Sequence, residues 1–231
     1  MKPHRSNYWL IPPKQNAKFV YRMEDVLALY HEPYDEDRPV ICFDESSKTL
    51  HKHVRDPLPV RPGAVACEDT HYERNGKRKI HVVTEPLTGW RHVTVTPRRR
   101  KREFVEQLQE LADEHYPDAT CIRVVLDNLS THNPAAFYEF CTPKEAREYL
   151  DRFEFHFTPV HGSWLNMAEI ELSALRTQCL NRRIPDAATL RTEVAAWEQH
   201  RNKVPSAIEW QFSTTDARTK LRTLYPVSND A

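Results

Sequence analysis

Continuous apolar runs alternate along this chain with stretches in which apolar residues recur every three or four positions. Val40-Ile41-Cys42-Phe43, closed by Asp44, predicts a short strand buried on both faces. Ile122-Arg123-Val124-Val125-Leu126, closed by Asp127, predicts a second buried strand, and residues 153–157 a third. Strands are also expected over 64–72 and 79–84, joined through the hairpin signal Asn75-Gly76. Thr88-Gly89 makes the next turn, and Trp90 to Thr96 alternates like a further strand. Helical spacing of Phe19, Met23, Val26, Leu27 and Tyr30 predicts a short amphipathic helix over about 18–30, and Phe104, Val105, Leu108 and Leu111 predict one over about 101–115, ended by Pro117. Helical segments follow near 134–140 and 143–152, the second with Thr142 as N-cap and Pro143 at its first position. Ser163 is placed to cap a helix running to about 180, and two more helices are expected near 186–202 and 214–223.

This order of elements predicts an α/β domain whose mixed sheet joins an antiparallel meander to parallel crossovers. The expected division is an N-terminal linker with a short helix over 1–38, one domain over 39–226 and a tail over 227–231. In such a sheet the strands ending at Asp44 and Asp127 can be neighbours, with ligands gathering at their ends.

Composition narrows the picture. The chain has 231 residues, enough for a sizeable core, and 39% of them are hydrophobic. No apolar run approaches the ~20 residues of a membrane span, and the N-terminus lacks a signal-peptide core. Five scattered cysteines without a C-x-x-C pair read as reduced thiols of a cytoplasmic protein and argue against a zinc site. With 33 basic and 33 acidic residues the net charge is zero, so any contact with nucleic acid must be local. Arg98-Arg99-Arg100-Lys101-Arg102 is the obvious basic patch, readable as a solvated helix start or as a phosphate contact.

Asp44, Asp127 and Glu169 stand where a two-metal phosphoryl-transfer site needs carboxylates: two at strand ends, one on a later helix. Hard cations such as Mg²⁺ need only a few such ligands, and two of them can activate an attacking oxygen while stabilising the leaving one. Each acid also has a plainer reading, since Asp127-Asn128 is a common way to open a turn. Alternation sends Asp44 and the adjacent Glu45 to opposite faces, leaving Glu45 as an ion-pair partner or at a loop mouth. Glu169 and Glu171 are about 200° apart on a helix, so only one can face the site. Asn166, three residues before Glu169, favours Glu169 and is placed to bind a metal-bound water or a phosphate. His132 is readable as ordering the Asp127 loop or as touching a phosphate. Trp164 suits either the core or a base stack. His51, Lys52, His53 and Arg55 have no ligand spacing.

Cys42-Phe43-Asp44-Glu45, Leu126-Asp127-Asn128-Leu129-Ser130-Thr131-His132 and Gly162-Ser163-Trp164-Leu165-Asn166-Met167-Ala168-Glu169, in this order, resemble the DDE transposases of the mariner-like superfamily, in its bacterial insertion-sequence branch. The resemblance covers roughly 39–226. It implies a ribonuclease-H-like fold, a mixed sheet flanked by helices, with two Mg²⁺ ions (or Mn²⁺) held by Asp44, Asp127 and Glu169. Asn128, His132 and Asn166 carry over as motif neighbours; Arg98, Arg99 and Arg100 are candidate DNA contacts read from the basic run itself. The resemblance further implies strand cleavage at inverted-repeat ends, strand transfer into TA sites, and a homodimer on DNA. Two departures stand out. The 41 residues between Asp127 and Glu169 exceed the family's usual spacing, with the extra length expected in 134–152. The 38 leading residues leave no room for the usual helix-turn-helix region, which suggests a separately encoded module. A catalytically silent DNA-binding remnant and a host nuclease of the same fold are the alternatives.

Overall fold

Val40–His53 (β1), Tyr72–Glu85 (β2), Trp90–Thr96 (β3), Ile122–Leu126 (β4) and Phe153–Phe157 (β5) form one sheet in the order β3-β2-β1-β4-β5. β1 pairs antiparallel with β2, and β2 with β3, whereas β1–β4 and β4–β5 are parallel. The computed structural model describes residues 14–67 and 69–226, so 1–13 of the expected N-terminal segment and the expected tail 227–231 lie outside the described residues.

Pleating sorts the side chains into two layers. Ile41, Phe43, Val83, Ile122, Val124 and Leu126 share a core with Phe104 and Leu108 of Lys101–Glu110 (α2), Phe137 of Phe137–Phe140 (α3) and Ala146 of Pro143–Asp151 (α4). Cys42 and Val125 pack on the other face against Phe19, Met23 and Leu27 of Ala17–Tyr30 (α1) and Ala168 of Ala168–Leu175 (α5). Ala217 of Thr214–Lys220 (α7) joins the same core. That layer continues as Ile80, Val82 and Val93 against Leu172 and Leu175 of α5 and Leu190, Val194 and Trp197 of Ala187–Lys203 (α6). Each large apolar side chain buried this way contributes about 1.5–3 kcal/mol. α1 therefore belongs to the packed body.

Local chemistry explains the element ends. Thr142 and Glu145 form a capping box at the start of α4, with Pro143 at its first position. The exposed edge of β3 is covered by α6: Asn202 pairs with the backbone N–H and C=O of Arg91, and Glu198 accepts from Val93 N–H at 3.0 Å.

Three expectations are corrected. Among the described residues no strand covers 64–71, and there is no hairpin at Asn75-Gly76, because β2 starts at Tyr72 and runs straight through both residues. The register against β1 shifts there, from Thr49↔Lys77 to His51↔Arg74, with Gly76 at φ +83°. The same left-handed preference that suits a tight turn here makes a β-bulge. β1 does not end at Asp44 but continues to His53 along β2. The helix expected from Ser163 is broken: Ser163–Leu165 is one 3₁₀ turn, Asn166 is extended, and α5 starts at Ala168. No helix among the described residues is long and apolar enough to cross a membrane.

Candidate active site

Parallel pairing of β1 with β4 stops at Cys42↔Val125, and beyond that point the two strands part. Asp44 lies two residues past this last pair, still within β1, and so projects to the α5 side of the sheet; Asp127 lies equally far past it, one residue beyond the end of β4. Asp44 is 7% exposed and accepts a hydrogen bond from the backbone N–H of Glu45 at 2.7 Å. Burial, with added repulsion from Glu169 and Asp127, pushes its carboxyl up to about 7. Asp44 therefore lies within electrostatic reach of both other acids.

Asp127 is held by the turn it opens. Its Oδ1 accepts from Leu129 N–H at 3.0 Å and from His132 Nδ1 at 2.6 Å. The His132 ring is fully buried, edge-on to Phe43 and beside Phe104, with Nε2 3.1 Å from Glu45 Oε1. Burial opposes charge on this imidazole, but hydrogen bonds to Asp127 and Glu45 outweigh it and push His132 up to about 9. Against its own burial, the same contact holds Asp127 below the usual carboxylate range. His132 thus orders the Asp127 loop, and Glu45 is its ion-pair partner on the opposite face from Asp44. Asn128 is occupied as well: its amide donates to Thr158 O and its carbonyl accepts from Arg22 of α1.

Glu169 is exposed on the first turn of α5, and two anchors fix that helix. Asn166 is buried, donates to Phe43 O at 2.8 Å and accepts from Ala168 N–H at 3.2 Å. It clamps the helix start to β1 beside Asp44. The loop before it turns so tightly that a side chain on Gly162 would meet Pro159 Cγ at 2.5 Å. Glu171 points away from Glu169, not to solvent but into the core. It ion-pairs with Arg91 Nε at 2.9 Å and with Arg201 at 2.9 Å.

The basic run is mostly spent locally. Arg100 joins Glu103 in capping α2, Lys101 pairs with Glu139, and Arg102 lies over Phe140. Arg99 alone reaches the site, 3.9 Å from Glu45 and acting on Asp127, while Arg98 is exposed. Trp164 stacks on Trp210 and meets Phe212 edge-on, so it packs. Sequence reasoning missed Arg22, Tyr30, Arg91 and Arg201. Tyr30 donates to Leu165 O at 2.7 Å, tethering the Glu169 loop to α1. None of these four sits in a motif, and their partners are far away in the chain.

The donor set fits hard divalent cations: three carboxylates, one of them a buried acid whose charge is costly until a cation balances it. Their ligand atoms do not all converge within 4.8 Å of one another. Mutual repulsion favours this spread, and a pair of ions about 4 Å apart needs ligands distributed around both.

The sequence profile of the DDE superfamily endonucleases matches residues 39–191. Solved structures with the same fold include the Mos1 mariner paired end complex with Mn, 14% identical, TM-score 0.52, covering 87% of this chain and 60% of that one. The Mos1 strand transfer complex is 16% identical at TM-score 0.55, over 84% of this chain and 58% of that one. The mariner Mos1 paired end complex with Mg is 15% identical at TM-score 0.53, over 98% and 69%. The sheet and its helices are thus the ribonuclease-H-like fold. The chain spans about 60% of the Mos1 chain in the Mn complex. No curated protein sequence matches it significantly.

Proposed function

Because the chain belongs to the DDE superfamily endonucleases, we propose that it is the catalytic domain of a mariner-like transposase that cuts DNA at the ends of an insertion element and joins them to target DNA. The observation that carries this reading is the placement of Asp44, beside the parting of β1 and β4, within electrostatic reach of both Asp127 and Glu169, which come from two other elements. These three residues would hold Mg²⁺ or Mn²⁺, which when bound activate the attacking oxygen and stabilise the leaving one. Asp44 supplies a carboxylate kept from solvent, Asp127 one kept ionised and aimed by His132, and Glu169 an exposed one on the rigid start of α5. Arg99 is placed to meet a phosphate next to Asp127. Likeness to Mos1 solved with paired ends and in a strand transfer complex supports the same pair of steps here. Paired ends in those complexes support action on two DNA ends here, and a homodimer with a separately encoded helix-turn-helix module belongs to the same proposal.

The test is cleavage of element-end DNA by the purified chain in Mn²⁺. Nicking and strand-transfer products are expected from the parent, and neither from Asp44→Asn, Asp127→Asn or Glu169→Gln. Undiminished nicking by all three variants would refute the assignment. Nicking without any strand-transfer product would instead mark a nuclease.

A further inference from the structure

On the opposite face of the sheet, at its β3 edge, two imidazoles and a carboxylate meet. His92 of β3, Glu110 at the end of α2 and His115 each bring one ligand atom within 4.8 Å of the other two. We propose that these three residues form a second metal site, for a borderline ion such as Zn²⁺ or Co²⁺ rather than Mg²⁺.

The backbone is shaped to make it. On an α-helix, residues five apart diverge by about 140°. Here Leu111–His115 is a π-turn, closed by Tyr116 N–H to Leu111 O at 2.9 Å. Its wider turn brings His115 round to the side of Glu110, the kind of local irregularity that often accompanies function. The imidazoles are also prepared. Glu198 of α6 lies 3.0 Å from His92 Nδ1 and would keep a proton there, so that Nε2, 3.1 Å from Glu110 Oε1 and 3.2 Å from Thr94 Oγ1, would offer its lone pair to an ion on giving up its own proton. A carboxylate behind a ligating histidine is the usual support for such a metal. His115 Nε2 is buried with no hydrogen-bond partner among the described residues. Gln107 steadies the other Glu110 oxygen at 3.2 Å, and Trp90 packs on His115 at 4.9 Å, walling one side. The His92 and Glu110 side chains remain 21% and 31% exposed, leaving an entry path. Two nitrogens and one carboxylate oxygen suit Zn²⁺ with a water in the fourth position. A bound ion would fasten β3 to α2 and, through Glu198, to α6.

The test is a Co²⁺ titration of the untagged full chain after chelator treatment. Nitrogen-ligated Co²⁺ of low coordination number absorbs visibly, whereas Co²⁺ on an all-oxygen octahedral site absorbs only weakly. One equivalent of absorbing Co²⁺, displaced by Zn²⁺, is expected from the parent and from Asp44→Asn. His115→Ala and Glu110→Gln should weaken it at least ~10-fold, and Glu198→Gln about 10–100-fold. Melting in chelator checks that the variants fold. If His115→Ala does not, the partly exposed Glu110→Gln decides, and Zn²⁺ should raise Tm in the parent but not in this variant. No absorbing Co²⁺ in the parent, absorption retained by Glu110→Gln, or absorption lost in Asp44→Asn would each overturn the proposal. The cluster would then be an imidazolium held between two carboxylates.

Discussion

Two buried ionic clusters flank the candidate catalytic carboxylates, one on each face of the sheet, and they are built from different chemistry. Glu45, His132 and Asp127 form a chain through an imidazole, and one end of it is a candidate ligand. Arg91, Glu171 and Arg201 form a cluster around one carboxylate that touches only the helix carrying Glu169. Guanidinium groups keep their charge at any pH the fold survives, whereas the imidazole titrates. The first cluster therefore sets the state of one candidate ligand, and the second braces the helix that carries another.

The largest expected effect tests the second cluster. Glu171→Ala leaves the buried Arg91 guanidinium without its carboxylate and should cost about 3–5 kcal/mol, read as a large fall in Tm with metal chelated. A loss below about 1 kcal/mol would mean that the pair does not hold α5. Next comes His132→Gln, which should lower Mn²⁺ affinity about 10–100-fold while the chain stays folded. The parent should also lose stability with pH in a way this variant does not. His132 is raised from its usual 6.5 to about 9, so its contribution is complete below about 6.5 and lost as pH rises through about 9. Asp127 is lowered, so its contribution is present at neutral pH and lost only as pH falls through its depressed value. Melting between pH 6 and 10 should thus reveal the imidazole cluster, and an equal slope in His132→Gln would remove it from this account.

Asp44 gives a smaller effect of opposite sign. Its carboxyl is raised to about 7, so its contribution is present below about 3.8 and lost as pH rises through about 7. Without metal at pH 8, Asp44→Asn should be more stable than the parent, on the order of 1 kcal/mol, and Mg²⁺ should close the gap. Equal melting of the two in chelator would show that Asp44 carries no such cost. The smallest effect belongs to Arg99→Ala, which should reduce the salt dependence of DNA binding by about one phosphate contact. An unchanged slope would leave Arg99 as a partner of Glu45 only.

Most of the fold was legible because each strand and helix carries its own pattern: β3 lies over the expected residues, and the Thr142 capping box appears as read. The misreadings came where one local signal serves two geometries. Asn75-Gly76 satisfies a left-handed backbone whether the chain reverses or bulges, and only the partner strand decides. Ser163 looked like a helix start because its hydroxyl suits one, yet Asn166 breaks the run to reach Phe43 O. The candidate ligands were picked out by motif order, and only Asp127 follows a strand end, since β1 runs on past Asp44. Their supports were not legible, since Arg22–Asn128 and Arg91–Glu171 join residues that no periodicity links.

Tyr30 and Arg22 of α1 each grip a different loop: Tyr30 the one leading to Glu169, Arg22 the one following Asp127. The two grips are about 12 Å apart along a single rigid helix. Mechanically, α1 is a common axle for two otherwise separate arms. Load on this helix would thus reach the loops beside Asp127 and Glu169 together, while Asn166 holds the Glu169 side to β1 through Phe43 O.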